Sequence, residues 1–356
     1  MALRFTYTAL PGRVVFGAGA LASLRDEAAH LGSRALVLCT PGHKALGQKA
    51  ATLLSERAVG IFDRAVMHVP VETADAACEF AQSARADLCV AIGGGSTTGL
   101  AKAIALRSGL PILAVPTTYA GSEMTPVWGL TEQGIKRTGH DPRVLPRTTL
   151  YDPELTLNLP AKTSATSGMN AIAHCVEGLY SENANPLVSL MAEEGIRALG
   201  QSLPRIVHEP NNLEARTDAL YGAWLAGVTL GSAGVALHHK LCHTLGGSFN
   251  LPHAETHTII LPHALAYNAK AVPEAASRVA RALGKEDGVQ AVVDLVTAIG
   301  APTALKDIGM PREGIERAVE LATANPYYNP APIKKDALRR LLLNAYEGRP
   351  PEPYLS

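Results

Sequence analysis

Short apolar runs bounded by turn residues punctuate the first 150 positions of the chain. "RVVFG" (13–17), "RALVLC" (34–39), "DLCVAIG" (87–93) and "LPILAVP" (110–116) each read as a strand. Between them, "ALASLRDEAAHL" and "DAACEFAQSARA" place apolar residues at helical spacing. Strand alternating with helix predicts a parallel sheet covered by helices on both faces. After about residue 155 the pattern changes and strand-like runs nearly vanish. Helical periodicity occupies 164–182, 185–202, 213–246, 274–283, 288–300, 312–324 and 334–346. The pattern therefore predicts an α/β domain over residues 1–157 and an all-α domain over 158–356. The boundary falls near "LYDPELTLNLPAKTS", where Pro and Asp interrupt the periodicity. Ligands of such architectures favour the crevice between domains, at the carboxyl ends of the strands.

One strand-to-helix junction carries chemistry. In "DLCVAIGGGSTTGLAKAIAL" a strand runs into Gly93, Gly94, Gly95 and Ser96 and then into a helix. Three residues without Cβ let main-chain N–H groups approach an anion, and the helix start adds partial positive charge. A pyrophosphate suits that place, although a tight turn needing glycine dihedrals would use the same letters. The next strand ends in "PTTYAGSEMTP", which brings the hydroxyls of Thr117, Thr118 and Ser122 to the same sheet edge. The GxGxxG dinucleotide fingerprint is absent; "VVFGAGAL" at the first strand has Gly17 and Gly19 only.

Imidazole is concentrated elsewhere. Six of the twelve histidines fall within "ALHHKLCHTLGGSFNLPHAETHTIILPH", residues 236–263. His239 and His243 are four apart on a predicted helix and share a face, as do Asn170 and His174 of "SGMNAIAHCVEG". His253 follows Pro252 after a short loop. Nitrogen and oxygen donors gathered from two helices and a loop suit a divalent metal such as zinc or iron. A lone helical histidine more often serves a core, and His257 and His263 are read that way here.

Composition narrows the partners. Lys plus Arg (32) equals Asp plus Glu (32), so no basic excess calls for nucleic acid or an anionic membrane. "AWLAGVTLGSAGVAL" is the longest mostly apolar stretch and is too short to cross a bilayer. The start "MALRFTYTALPG" has no run long enough for a signal peptide. Five cysteines without CxxC spacing read as reduced thiols of a cytoplasmic protein, and Cys242, beside His243, is the one nearest the candidate chemistry. Tyr327 and Tyr328 of the Pro/Asn-rich segment 325–338 are candidates to reach the same place.

With these motifs the chain resembles the iron-containing (group III) alcohol dehydrogenase family, from "VVFGAGAL" to the C-terminal helices. The resemblance implies a Rossmann-like parallel sheet followed by an all-helical domain, an architecture shared with dehydroquinate synthase. It also implies a homodimer. In that family the GGGS turn and the PTTxxxGSE segment bind NAD(P), and a D-x-x-x-H pair with two later histidines binds the metal. Carried over, the metal positions are Asn170, His174, His239 and His253, while His243 faces the nicotinamide. Lys136 matches a family lysine near cofactor and substrate. The departures are specific. Asn170 stands where the family has Asp, Gly99 where GGGSxxD has its Asp, and Thr40 of "CTPGH" where an acidic residue usually discourages a 2′-phosphate. "HHKLCHTLGG" adds Lys240 and Cys242. With "PTTYAGSEMTP" and "MNAIAHCVEGLY" these look like the maleylacetate reductase branch, whose substrate is a dicarboxylate with a ketone conjugated to an alkene.

Hydride addition to that alkene gives an enolate, which hydrogen-bond donors or cations can stabilise without a metal. Lys240, His243 and Lys136 are the catalytic candidates. Thr40, Gly93, Gly94, Gly95, Ser96, Thr117, Thr118, Ser122 and Lys136 are the expected contacts of NADH or NADPH. Asn170, His174, His239 and His253 are expected to line the substrate pocket, or to hold zinc or iron where a metal is bound. Two rivals stand beside this reading: a metal-dependent alcohol or polyol dehydrogenase of the same family, and a lyase resembling dehydroquinate synthase.

Overall fold

The computed structural model describes residues 5–10, 12–133 and 135–354, without the side chains of 135 and 136. The chain divides into two compact units, one of Ala9–Leu159 and the other of Pro160–Ser356 together with the residues up to Thr8.

The first unit alternates strand and helix: β1 (Arg13–Phe16), α1 (Leu24–Ala29), β2 (Ala35–Leu38), α2 (Lys44–Leu54), β3 (Ala58–Phe62), α3 (Val71–Ser83), β4 (Leu88–Gly93), α4 (Gly95–Ser108) and β5 (Ile112–Pro116). A hairpin of β6 (Val127–Glu132) and β7 (Ile135–His140) follows, then β8 (Thr148–Tyr151). Six strands form a parallel sheet in the order β1-β8-β5-β4-β2-β3. The inner strands β2, β4 and β5 are apolar on both sides because both faces are covered. Leu88, Val90 and Ile92 of β4 pack with Leu24, Leu54 and Leu113 on one face. Cys89 and Ala91 pack with Leu100, Ile104 and Phe62 on the other.

The second unit is helical: α5 (Ala161–Gly178), α6 (Pro186–His208), α7 (Leu213–Ala233), α8 (Leu237–Phe249), α9 (His253–Ala269), α10 (Pro273–Ala282), α11 (Gly288–Ala298), α12 (Gly314–Thr323) and α13 (Lys335–Glu347). α5 is its axis, buried continuously from Ser164 to Gly178. Glycines let neighbours come close: a Cβ on Gly178 would sit 2.1 Å from Thr229 Cγ2, and one on Gly195 2.8 Å from Cys175 Sγ.

Three expectations need correction. The single helix expected over 213–246 is broken into α7 and α8, bent by 98°. Gly234 adopts φ 81 there, a conformation that ends α7. α9 went unread because it is buried on every side from Thr256 to Asn268, so no amphipathic stripe betrays it, and Pro262 lies inside it. His253 is accordingly the first residue of a helix, not part of a loop. Finally, α6 continues through Pro204 to His208 rather than stopping at 202. No single helix among the described residues is long and apolar enough to cross a membrane.

Candidate active site

In the first unit the chain moves from β2 outward to β3, then returns to place β4 on the other side of β2 and continues to β5. The strand order thus reverses between β2 and β4, and their carboxyl ends are where doubly wound sheets hold ligands. Thr40 follows β2; its hydroxyl lies 2.8 Å from His43 Nδ1. The glycine turn follows β4. Gly93 adopts φ 148, and a Cβ there would lie 2.6 Å from Thr97 Oγ1. A Cβ on Gly94 would meet Thr118 at 3.1 Å. The Thr117 N–H donates to the Gly93 carbonyl (3.1 Å), which ties the two motif segments together. Beside this turn, Thr97 Oγ1 and Thr117 Oγ1 are buried with no hydrogen-bond partner among the described residues. A Cβ-free cradle at a helix start with orphaned hydroxyls fits a phosphate-bearing ligand. Thr97 was not among the expected contacts, although it is one helical turn from Gly93 in the same motif.

The other glycine-rich turn has a different occupant. Asp152 accepts from the N–H groups of Gly19 (3.1 Å) and Leu21 (2.9 Å), so those amides are already satisfied. Gly99 also acquires a reason: a Cβ there would stand 2.8 Å from Val69 Cγ2. The family's Asp at this position would collide with the segment that β6 holds in place through Thr131 Oγ1, which donates to the His68 carbonyl at 2.8 Å.

Lys102, on α4, gave no warning in its apolar surroundings. It is fully buried, and its Nζ donates to the carbonyls of Ser122 (2.7 Å), Thr125 (2.8 Å) and Val127 (2.7 Å) and reaches Thr125 Oγ1 (3.0 Å). Burial pulls its pKa down to about 7, with Glu123 opposing. This ammonium bolts the "GSEMTP" segment onto the helix that starts at the glycine turn. Lys136 lies on β7 opposite Thr131; its side chain is outside the described residues.

In the helical unit, α5 presents Asn170, His174 and Glu177 along one face, α8 presents His238, His239, Lys240 and His243, and α9 presents His253 and His257. The rings pack in a chain. His174 stacks on His239 (4.9 Å between centroids, 25°), His239 meets His257 (4.8 Å), and His257 meets His253 (4.2 Å). His243 stacks against His253 at 6.5 Å. Asn170, His174, His239 and His257 are buried, whereas His243 and His253 are exposed, so the cluster runs from the interior to the surface. Lys240 is half-buried, with Nζ 5.6 Å from the centre of the Tyr327 ring. Cys242 is buried and its thiol pKa pushed up by burial, which makes it inert. His263 stands apart, lining a small cavity with Tyr267, Arg340 and Tyr354.

Glu177 organises the cluster. Its carboxylate accepts from the main-chain N–H of Ala236 (2.9 Å) and of His238 (2.7 Å), capping the start of α8. It also lies 2.7 Å from His239 Nδ1. Burial raises its pKa, against the pull of His238 and these amides. A carboxylate accepts only, so His239 carries its proton on Nδ1 and Nε2 is left as a bare lone pair. His238 Nε2, 3.0 Å from the His257 carbonyl, must likewise be the protonated nitrogen. Burial lowers the pKa of His174, His239 and His257, keeping all three neutral.

Residues 11–153 match the iron-containing alcohol dehydrogenase family, and residues 164–346 match the Fe-containing alcohol dehydrogenase family, C-terminal. The chain belongs to the iron-containing alcohol dehydrogenase family. Within that family it groups with maleylacetate reductases. It is 58% identical to the maleylacetate reductase of Sphingobium indicum over 349 residues, 98% of this chain and 99% of the relative. It is also 58% identical to that of Burkholderia cepacia, covering 97% of this chain and 98% of the relative. The crystal structure of maleylacetate reductase from Agrobacterium tumefaciens superposes with a TM-score of 0.95 at 49% identity, covering 98% and 99% of the two chains.

The iron-containing alcohol dehydrogenase family implies a metal, and the side chains here can be asked whether they fit one. Asn170 Oδ1, His174 Nδ1 and His239 Nε2 are buried without partners among the described residues, and all three residues occupy expected ligand positions. Such a donor set accepts a divalent ion, but an amide oxygen replaces the anionic ligand. A second trio, His238, His239 and His257, has ring nitrogens within 4.8 Å of one another. It is a hydrogen-bonded knot rather than a cage, because both His238 nitrogens and His239 Nδ1 already have partners.

Proposed function

We propose that the chain catalyses the NADH- or NADPH-dependent reduction of maleylacetate (4-oxohex-2-enedioate) to 3-oxoadipate, a step in the breakdown of aromatic compounds. The observation that carries this reading is full-length identity of 50–58% with proteins of that name. The orphaned polar atoms of Asn170, His174, His239 and His257 support it, since they form a neutral, polar, buried lining suited to a small oxygen-rich substrate.

When bound at the glycine turn, the nicotinamide supplies a hydride for the alkene carbon β to the ketone. The electron pair of the alkene moves toward the ketone oxygen, and a proton must then reach the carbon α to the ketone. Lys240 offers a cation on the imidazole-lined face for the developing charge and for a substrate carboxylate. To His243, exposed at the end of the cluster, falls the role of holding a proton and exchanging it with solvent. Where a divalent ion is present, Asn170, His174, His239 and His253 would hold it, and it would polarise the ketone as a Lewis acid. Thr40, lacking a carboxylate, sets no charge against a 2′-phosphate, so both nicotinamides are expected to serve.

One assay tests this. Purified enzyme should consume NADH and NADPH on addition of maleylacetate, within a hundredfold of each other in kcat/KM, and should keep its activity after chelation. No turnover of maleylacetate, with oxidation of small alcohols on adding Fe²⁺, would establish the alcohol or polyol dehydrogenase instead.

A further inference from the structure

His257 was expected to be an ordinary core histidine, and its surroundings contradict that. It is 1% exposed, yet neither Nδ1 nor Nε2 has a hydrogen-bond partner among the described residues. Core imidazoles are held by at least one such bond, since an unsatisfied buried polar group costs about 1–3 kcal/mol. The backbone at this position is fixed independently, because His238 Nε2 donates to the His257 carbonyl at 3.0 Å. The ring is therefore anchored from behind and idle in front. It faces the cluster: its centroid lies 4.2 Å from His253, 4.8 Å from His239 and 6.4 Å from His243. Spacing explains the placement, since His253 and His257 are four apart on α9 and share its face.

The proton inventory gives His257 a distinct task. Glu177 confines the His239 proton to Nδ1, so His239 Nε2 can accept but not donate. The carbonyl of His257 likewise occupies the N–H of His238. Whatever its charge, the His257 ring carries at least one N–H with no acceptor among the described residues, and the substrate of the proposed reaction brings only oxygen acceptors. We propose that His257 is a substrate-contacting residue whose ring N–H donates to an oxygen of the dicarboxylate. This inference rests on the reading of the chain as a maleylacetate reductase and adds a residue to that site.

The test uses His257→Asn, which keeps an N–H donor, and His257→Leu, which removes it at similar volume. With maleylacetate, His257→Leu is expected to lose at least thirtyfold in kcat/KM, and His257→Asn to recover a substantial part of that loss. Adipate, an unreactive six-carbon dicarboxylate, should inhibit His257→Leu at least tenfold more weakly than wild type. NADH affinity, read by fluorescence quenching, and Tm should both stay close to wild type. Turnover by His257→Leu within threefold of wild type would overturn the inference, as would a loss shared equally by His257→Asn and accompanied by a fall in Tm and NADH affinity. Failure of the underlying reading is separate: wild-type enzyme itself would then not turn over maleylacetate.

Discussion

At Asn170 an amide stands where a carboxylate would complete a cationic site, and its Oδ1 is buried with no partner among the described residues. Restoring the charge is a direct probe. Asn170→Asp is expected to raise zinc affinity about 10–100-fold, or roughly 1.4–2.8 kcal/mol. Competition with a chromophoric chelator reads the change independently of turnover. Equal zinc affinity in the two proteins would show that position 170 does not face the metal. The residues of this neighbourhood were unevenly legible. Asn170, His174, His239 and His243 could be picked out because paired spacing of i and i+4 betrays a shared helical face, and His253 because it follows Pro252 just beyond them. His257 obeys the same spacing relative to His253 but was set aside, because its helix shows no apolar stripe to orient it. Glu177 was invisible for another reason: its partners, the amides of Ala236 and His238, are some sixty residues distant in sequence.

At the scale of elements, α4 and the segment after β5 act as one piece through Lys102. Replacing it by Met at similar length strips the ammonium from the carbonyls of Ser122, Thr125 and Val127, of which Ser122 keeps the N–H of Thr125 as a donor. Lys102→Met is expected to cost about 3–5 kcal/mol of unfolding free energy, measured by urea denaturation. It should also weaken nucleotide binding, because the segment after β5 is then tied to the glycine turn through Thr117 and Gly93 but no longer through Lys102. A change below about 1 kcal/mol would mean that the ammonium is dispensable. Helix periodicity marked α6 and α10–α13 well, since each has one wet and one dry side. β3, β8 and the β6–β7 hairpin escaped notice: "AVGIF" is interrupted by Gly60, "TTLY" opens on two polar threonines, and β6 and β7 mix polar with apolar residues.

For the whole molecule, the buried neutral histidines set the response to acid. His263 is the cleanest case, away from the cluster, with a pKa lowered from 6.5 to about 4 by burial. The unfolded chain binds the proton more readily over that interval. Stability is therefore full above about pH 6.5 and falls as the pH drops toward 4, by up to about 3 kcal/mol for this group. His263→Gln should flatten the Tm profile between pH 6.5 and 4; an unchanged slope would mean that the ring is already protonated in the fold. The α/β-then-all-α division was readable because it depends on periodicity summed over many residues. The insertion of β8 between β1 and β5 was not, because strand order leaves no local signature. That insertion bears on how the protein is made. Arg13 pairs with Thr148, and β1 has no other neighbour in the sheet. On the ribosome the first strand must wait, unzipped, until residues 148–151 emerge to bridge it to β5. A nascent chain arrested before that point carries an exposed sheet edge and a stranded apolar segment, both of them binding sites for a chaperone.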